Sequence, residues 1–253
     1  MRLKLIACEI LYREFCAAVS RSPNHVDITF LSKGLHDIGQ AGMMAQLTRA
    51  IAEMDFEAYD AVLLGYALCS NGIVGLTAPS VPLVIPRAHD CITLFLGDRQ
   101  RYLDYFSAHP GYYYKTSGWI ERGQDLVLSP AGSVSGGLTA TNDYEALVAK
   151  YGEDNARYLM EELSGLTKHY AGLAYIAMGV GPDDVFERQT RELAASRGWE
   201  FERLEGDMSL IQGLVDGPWD EARYLVVLPG QSVTPSYDEQ IIQLTKVLEN
   251  PTP

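Results

Sequence analysis

The chain has 253 residues, 47% hydrophobic and 21% charged, a composition that suits a globular protein with one or two sizeable cores. A net charge of -13 with only 20 Lys and Arg argues against a non-specific nucleic-acid binder. No apolar run approaches the roughly 18–20 residues of a membrane span, and four cysteines are too few for a disulfide scaffold.

The start, MRLKLIACEIL, reads as a first strand over residues 3–8 rather than a signal peptide. Its apolar part is short, Glu9 interrupts it, and no small-residue cleavage site follows. A cytoplasmic protein is expected, whose reduced cysteines serve as core residues, ligands or nucleophiles. A helix follows over 10–20, a strand over 26–31 and a loop over 34–37. A helix over 42–55 carries Met43, Leu47, Ile51 and Met54 at helical spacing. A strand over 59–68 ends at Cys69-Ser70-Asn71-Gly72. The run VPLVI, residues 81–85, is a short buried strand that breaks at Pro86 into Arg87-Ala88-His89-Asp90-Cys91, with an apolar helical run after it. This alternation predicts a parallel α/β sheet.

Residues 98–108 are helical, residues 109–123 are rich in aromatics and turn residues, 124–137 are irregular, and 143–166 form a long helix. The last third starts over. It has a strand over 173–180, a helix over 183–197, a strand over 199–204, a loop over 205–207 and a helix over 209–215. A strand over 224–228 and a final helix over 238–249 end the chain. Cys8 lies 29 positions before Asp37, and Met178 lies 29 before Asp207. The expected fold is therefore α/β, with two similar Rossmann-like parallel-sheet halves facing across a cleft as an internal duplication. Residues 1–97 form the first half, 98–170 a mainly helical bridge and 171–253 the second half.

Ligands of open parallel sheets bind outside the carboxyl ends of the strands. Cys8, Cys69 and Cys91, with His89, fall at such ends on neighbouring strands of the first half. Adjacent strands are about 4.8 Å apart, so their thiols can meet around one ion. Thiolates suit zinc, an iron–sulfur cluster or copper(I), and three sulfurs with one imidazole complete a tetrahedron. The competing reading is that buried cysteines only fill space, which is how Cys16, inside the first helix, is read. His89 is a fourth ligand or an acid/base. Glu9, beside Cys8, is a further ligand or base.

The second half carries no matching thiol and is expected to supply substrate loops at 179–183, Asp207 and 230–234, including Gln231. Gly179-Val180-Gly181 lacks the third glycine of a dinucleotide fingerprint. Arg87 is a carboxylate clamp or a solvated charge, and Asn71 a turn residue or a substrate contact. Tyr112, Tyr113, Tyr114 and Trp119 either wall a pocket or cover core. No G-x-S-x-G elbow and no Walker loop occurs.

The segments CEILYRE (8–14), LGYALCSNGIVGL (64–76), PRAHDCITLFLG (86–97) and PGYYYKTSGW (110–119) resemble the bacterial and archaeal family called domain of unknown function 1638. The similarity covers most of the chain, and PRAHDC and GYxLCxNG are its most specific motifs. Members occur in organisms with corrinoid methyl-transfer metabolism. The H-x-C element is also similar to that of zinc-dependent corrinoid methyltransferases, which use two thiolates and a histidine. Those enzymes are barrels and this chain is not patterned as one, so neither fold nor substrate carries over. The expectation is a zinc-thiolate protein that transfers a group such as methyl to or from a small-molecule substrate, with a corrinoid or other carrier protein as partner. The alternatives are a metal or cofactor carrier without turnover and an iron–sulfur protein with three cysteine ligands.

Overall fold

The computed structural model describes residues 1–122, 153 and 170–245. Strands β1 (Arg2–Cys8), β2 (His25–Leu31), β3 (Ala61–Gly65) and β4 (Leu83–Pro86) are parallel neighbours in the order β2-β1-β3-β4. The runs AVLLG and LVIP are buried at every residue, as expected of central strands covered on both faces. A single 3-10 turn, Glu9–Leu11, leads from β1 into helix α1 (Tyr12–Val19). Gly65 lets α1 approach the sheet closely. A Cβ there would lie 2.5 Å from the Ala7 Cβ and 2.6 Å from the Phe15 ring. Helix α2 (Gly39–Ala52) buries Met43, Leu47 and Ile51, the predicted apolar stripe.

Cys16 is exposed rather than in the core. Glu14, Phe15 and Ala18 take the inward stripe of α1, and Cys16 lies about 100° further round the helix from Phe15.

Helices α3 (Cys91–Leu96), α4 (Arg99–Ala108) and α5 (Ser117–Arg122) surround strand β5 (Tyr112–Lys115) in sequence. Beyond them come β6 (Gly172–Ala177), α6 (Asp183–Arg197), β7 (Glu200–Glu205), α7 (Ser209–Asp216) and β8 (Tyr224–Val227). Strands β5, β6 and β7 make a second sheet in that order, all parallel. The expected helical bridge thus contains a strand, because three consecutive tyrosines favour extended backbone and β6 offers them an edge. The expected irregular stretch 124–137 and helix 143–166 lie outside the described residues.

Two further expectations change. The apolar run YLVV does not close the second sheet. As β8 it pairs antiparallel with β4 in the first sheet, Leu83 opposite Val227 and Ile85 opposite Leu225. It covers an edge that β4 would otherwise leave open. The predicted final helix is replaced by an antiparallel pair, β9 (Val233–Pro235) with β10 (Ile242–Leu244). Here the buried Arg87 takes backbone carbonyls that a helix would have used internally. Its Nη1 donates to the carbonyls of Gln240, at 3.0 Å, and Ile242. Residues 246–249 lie outside the described residues. The architecture is therefore mixed α/β with a mainly parallel five-stranded sheet and a separate parallel three-stranded sheet. One apolar cluster reaches from Leu5, Leu63 and Val84 of the first sheet to Ile176 of the second and Met178 just past it. Among the described residues no helix is long and apolar enough to cross a membrane.

Equal 29-residue spacing does not translate into equal register. Strand partners lie 23 residues apart in β1/β2 (Leu3 with Val26) and 28 in β6/β7 (Gly172 with Glu200). Cys8 ends β1, whereas Met178 stands one residue past β6.

One core residue has a measurable consequence. Glu14 is fully buried, and neither carboxylate oxygen has a hydrogen-bond partner. Burial, with the Asp183 carboxylate nearby, raises its carboxyl to about 7. Unfolded chains lose this proton near pH 4.5, so stability falls as pH rises from there to about 7. At 1.36 kcal/mol per unit the loss is at most about 3 kcal/mol. Denaturant titrations of Glu14→Gln should lack this fall, leaving the variant relatively more stable at pH 8 than at pH 4. Parallel pH profiles for variant and parent would contradict the burial of an unpaired carboxyl.

Candidate functional site

The first sheet brings the predicted thiols together by extending its pairing past the strand ends. After β3 and β4 the backbones stay in contact, Leu68 N–H donating to the Ala88 carbonyl and Cys69 N–H to the His89 carbonyl, both at 2.9 Å. Cys69 therefore lies beside the His89–Cys91 segment. The chain reverses there through three successive residues with positive φ, Cys69 (46°), Ser70 (55°) and Asn71 (67°). Each costs about 1–2 kcal/mol outside glycine, and such outliers concentrate at functional sites. Gly72 N–H closes the turn on the Leu68 carbonyl at 2.9 Å. A Cβ on Gly72 would collide with the Met43 sulfur.

Cys91 is not at a strand end as expected, since β4 stops at Pro86. Asp90 ends the extended segment and caps α3, its Oδ1 accepting from the N–H groups of Ile92 (3.0 Å) and Thr93 (3.3 Å). Cys91 is the first residue of that helix.

Cys8 is 2% exposed, whereas Cys69 and Cys91 are half-buried. Burial raises all three thiols, Cys8 to about 11 and Cys69 to about 12. They are close enough that each opposes ionisation of another. Cys8 raises Cys69, and both raise Cys91. At Cys8 the Glu9 carboxylate adds to the rise, while the backbone at Ile10 and the Lys33 ammonium oppose it.

Three buried donors face this cluster. The Tyr66 hydroxyl stands toward Cys8 and the Trp119 indole N–H toward Cys91, neither in a closed hydrogen bond. The Tyr114 hydroxyl is also buried without a partner. Orphaned donors beside sulfur are what a thiolate would satisfy, since its charge strengthens and shortens the bond. As the side chains stand, no three His, Cys, Asp or Glu groups among the described residues are arranged to hold a metal ion.

Cys69 and Cys91 open onto a cavity of about 550 Å³. Ser70, His89, Asp90 and Ile92 complete its sulfur side. The opposite walls are aromatic, with Tyr102 and Phe106 from α4, Tyr112–Tyr114 from β5, Trp119 from α5, and Tyr170. The aromatic segment thus walls a pocket. Among the described lining residues none comes from the loops at 179–183, Asp207 or 230–234, so the facing wall is built by the middle of the chain.

The remaining predicted residues divide. His89 lines the cavity, its ring centroid 6.2 Å from that of Tyr102. Glu9 holds backbone, accepting the Lys33 N–H at 2.8 Å. Among the described residues Arg87 donates to backbone carbonyls, including that of Glu221 at 2.7 Å. Asp207 accepts the Ser209 N–H at 2.7 Å at the start of α7 and packs on Gly97. Gln231 accepts the Leu228 N–H at 3.0 Å within its own turn. Asn71 is exposed in the left-handed turn. The loop at 179–183 is held by Asp183, which accepts from Gly179 N–H at 2.8 Å and the Tyr175 hydroxyl at 2.7 Å.

Sequence reasoning missed Tyr66, Tyr102, Asp90 and Lys33. A tyrosine inside a buried strand run needs a hydroxyl partner, which was the available signal for Tyr66. Lys33 gave none. It is buried, with its Nζ 5.3 Å over the Trp119 ring.

No curated protein and no solved structure matches this chain. A family model does, over residues 30–215, which includes the left-handed turn, PRAHDC and every described residue of the aromatic wall. The chain belongs to the family described as protein of unknown function DUF1638.

Proposed function

We propose that Cys8, Cys69 and Cys91 hold one soft metal ion, zinc by their ligand chemistry, at the edge of the aromatic cavity. His89 acts there as fourth ligand or as acid/base, and the protein is a group-transfer enzyme for a small molecule. The observation that carries this is the nearness of three thiols, Cys8 raising Cys69 and both raising Cys91, with the Tyr66 hydroxyl turned toward Cys8 and the Trp119 indole toward Cys91. Cys8, Cys69 and Cys91 would hold an ion of charge 2+ as thiolates, whose like charges it would offset, and Tyr66 and Trp119 would gain stronger acceptors. Zinc supplies activation of a bound thiol or water as nucleophile. The chain's own groups do the rest. The aromatic walls exclude water, and His89 is placed to take or return a proton at the cavity wall.

The mostly aromatic cavity beside Cys69 and Cys91 supports an enzyme over a carrier. Descent of the two chain halves from one duplicated unit belongs with this proposal. In its support, β1 and β6 are both central, each paired on one side with the next strand of its run.

Metal analysis of protein purified without added metal tests the reading. About one equivalent of zinc per chain is expected, falling below roughly a tenth in the Cys8→Ser/Cys69→Ser/Cys91→Ser variant. Metal-free parent protein, or content unchanged in the variant, overturns it. A brown protein that loses its colour in air would assign the thiols to an iron–sulfur cluster instead.

A further inference from the structure

We propose that the cavity selects an organic cation whose charge lies on an alkylated nitrogen. This rests on the cavity being a substrate site but not on the metal. The argument starts from the charge of the walls. Among the described lining residues there is one carboxylate, Asp90, and neither an arginine nor a lysine. The rings facing the cavity present electron-rich faces, to which cations are attracted.

Their substituents strengthen that attraction. Tyr102 donates its hydroxyl proton to Asp90 Oδ2 at 3.0 Å, and Tyr112 donates to Glu200 Oε2 at 2.6 Å. Behind them Tyr105, edge-on to both Tyr112 and Tyr114, donates to Glu202 Oε2 at 2.5 Å. A phenol that donates to a carboxylate gains electron density on its oxygen and ring, so three tyrosines are polarised toward negative by three carboxylates. A phosphate or carboxylate ligand would meet this field with no arginine or lysine among the described lining residues to receive it.

Lys33 and Lys115 sharpen the choice of position. Their ammonium groups stand over Trp119 (5.3 Å) and Tyr113 (5.9 Å). Those two rings already carry a cation on one face. The bound nitrogen is therefore expected between Tyr102, Phe106, Tyr112 and Tyr114, away from both lysines. An alkylated ammonium is favoured over a primary one because it is weakly hydrated and loses less on entering an aromatic site. Asp90, at the sulfur side, orients the cation so that its substituents point toward Cys69 and Cys91.

Calorimetry on the full chain after chelator treatment tests this without the metal. The probes are choline and its neutral isostere 3,3-dimethylbutan-1-ol. Choline is expected to bind, and the isostere to bind roughly tenfold more weakly. Glu200→Gln, whose hydrogen bond to Tyr112 is on the exposed side, should weaken choline severalfold while leaving the isostere unchanged. Phe106→Ala should weaken both. Equal binding of the two probes, or choline binding indifferent to Glu200→Gln, overturns the proposal. So does tighter binding of a neutral flat ring such as indole, or no choline binding at all. Failure of the metal reading would appear in metal content and leave these titrations unaltered.

Discussion

Gly118→Ala is expected to destabilise the protein by about 3 kcal/mol, the upper end for overpacking in a well-packed interior. Gly118 lies in α5 against the 3-10 turn that follows β1, and both it and Ser117 are buried. A Cβ at this position would land on the carbonyl oxygen of Ile10, a backbone atom that cannot swing aside. Either α5 or the turn has to move. Trp119 is the next residue, so the same shift withdraws its indole from Cys91 and opens the cavity wall. Urea titration gives the stability, and tryptophan fluorescence reports the wall. Gly181→Ala is the control. Its Cβ would meet the Arg13 Cδ at 3.2 Å and the Ser117 side chain at 3.3 Å, groups able to give by a few tenths of an ångström. Its cost should stay within about 1 kcal/mol. A Gly118→Ala protein as stable as this control would show that α5 does not rest on the turn.

Zinc affinity is expected to climb steeply with pH. The thiols are protonated without metal, because burial raises Cys8 to about 11 and Cys69 to about 12 and raises Cys91 as well. Each thiol that binds as thiolate releases one proton, so the logarithm of the apparent association constant should rise by about 3 per pH unit between about pH 6 and 8. The direction follows from the linkage. Protons compete with the ion for sulfur, and raising pH removes the competitor. Competition titrations against a chromophoric chelator at several pH values give the slope. Removing Cys8 alone should lower it by about one, since two thiols then remain. A slope below about one would mean that the thiols are not the ligands.

The parts of the fold legible in the sequence are those set by short-range pattern. Strand runs such as AVLLG and LVIP are buried because nearly every residue in them is apolar, and α2 follows its 3.6-residue stripe. Helix α6 spans the expected 183–197, with Asp183 and Asp184 at its start and Gly198 in left-handed conformation after its end. That the segments after β1, β3 and β4 leave the same sheet edge was also legible, because parallel strands place successive carboxyl ends there.

Partner choice was not legible. YLVV carries the same signal whether it pairs in the second sheet or with β4. What settles it is the open edge of β4 and the reach of the chain back to it. The final segment was read as helix from a local pattern, and Arg87, more than 150 residues upstream, holds it as a strand pair. Cys16 shows the same limit, since an apolar neighbourhood in sequence does not say which side of a helix meets the sheet. For the candidate cavity, the sequence by itself pointed to Cys69, His89 and Cys91, which line one side of it. Only the tertiary structure decided what faces them. The aromatic stretch, with Tyr170 from beyond the undescribed segment, closes the cavity, while Asp207 and Gln231 serve their own turns. The physical reason is that strand direction is written in local periodicity, whereas a cavity wall depends on which distant surfaces find each other when the core packs.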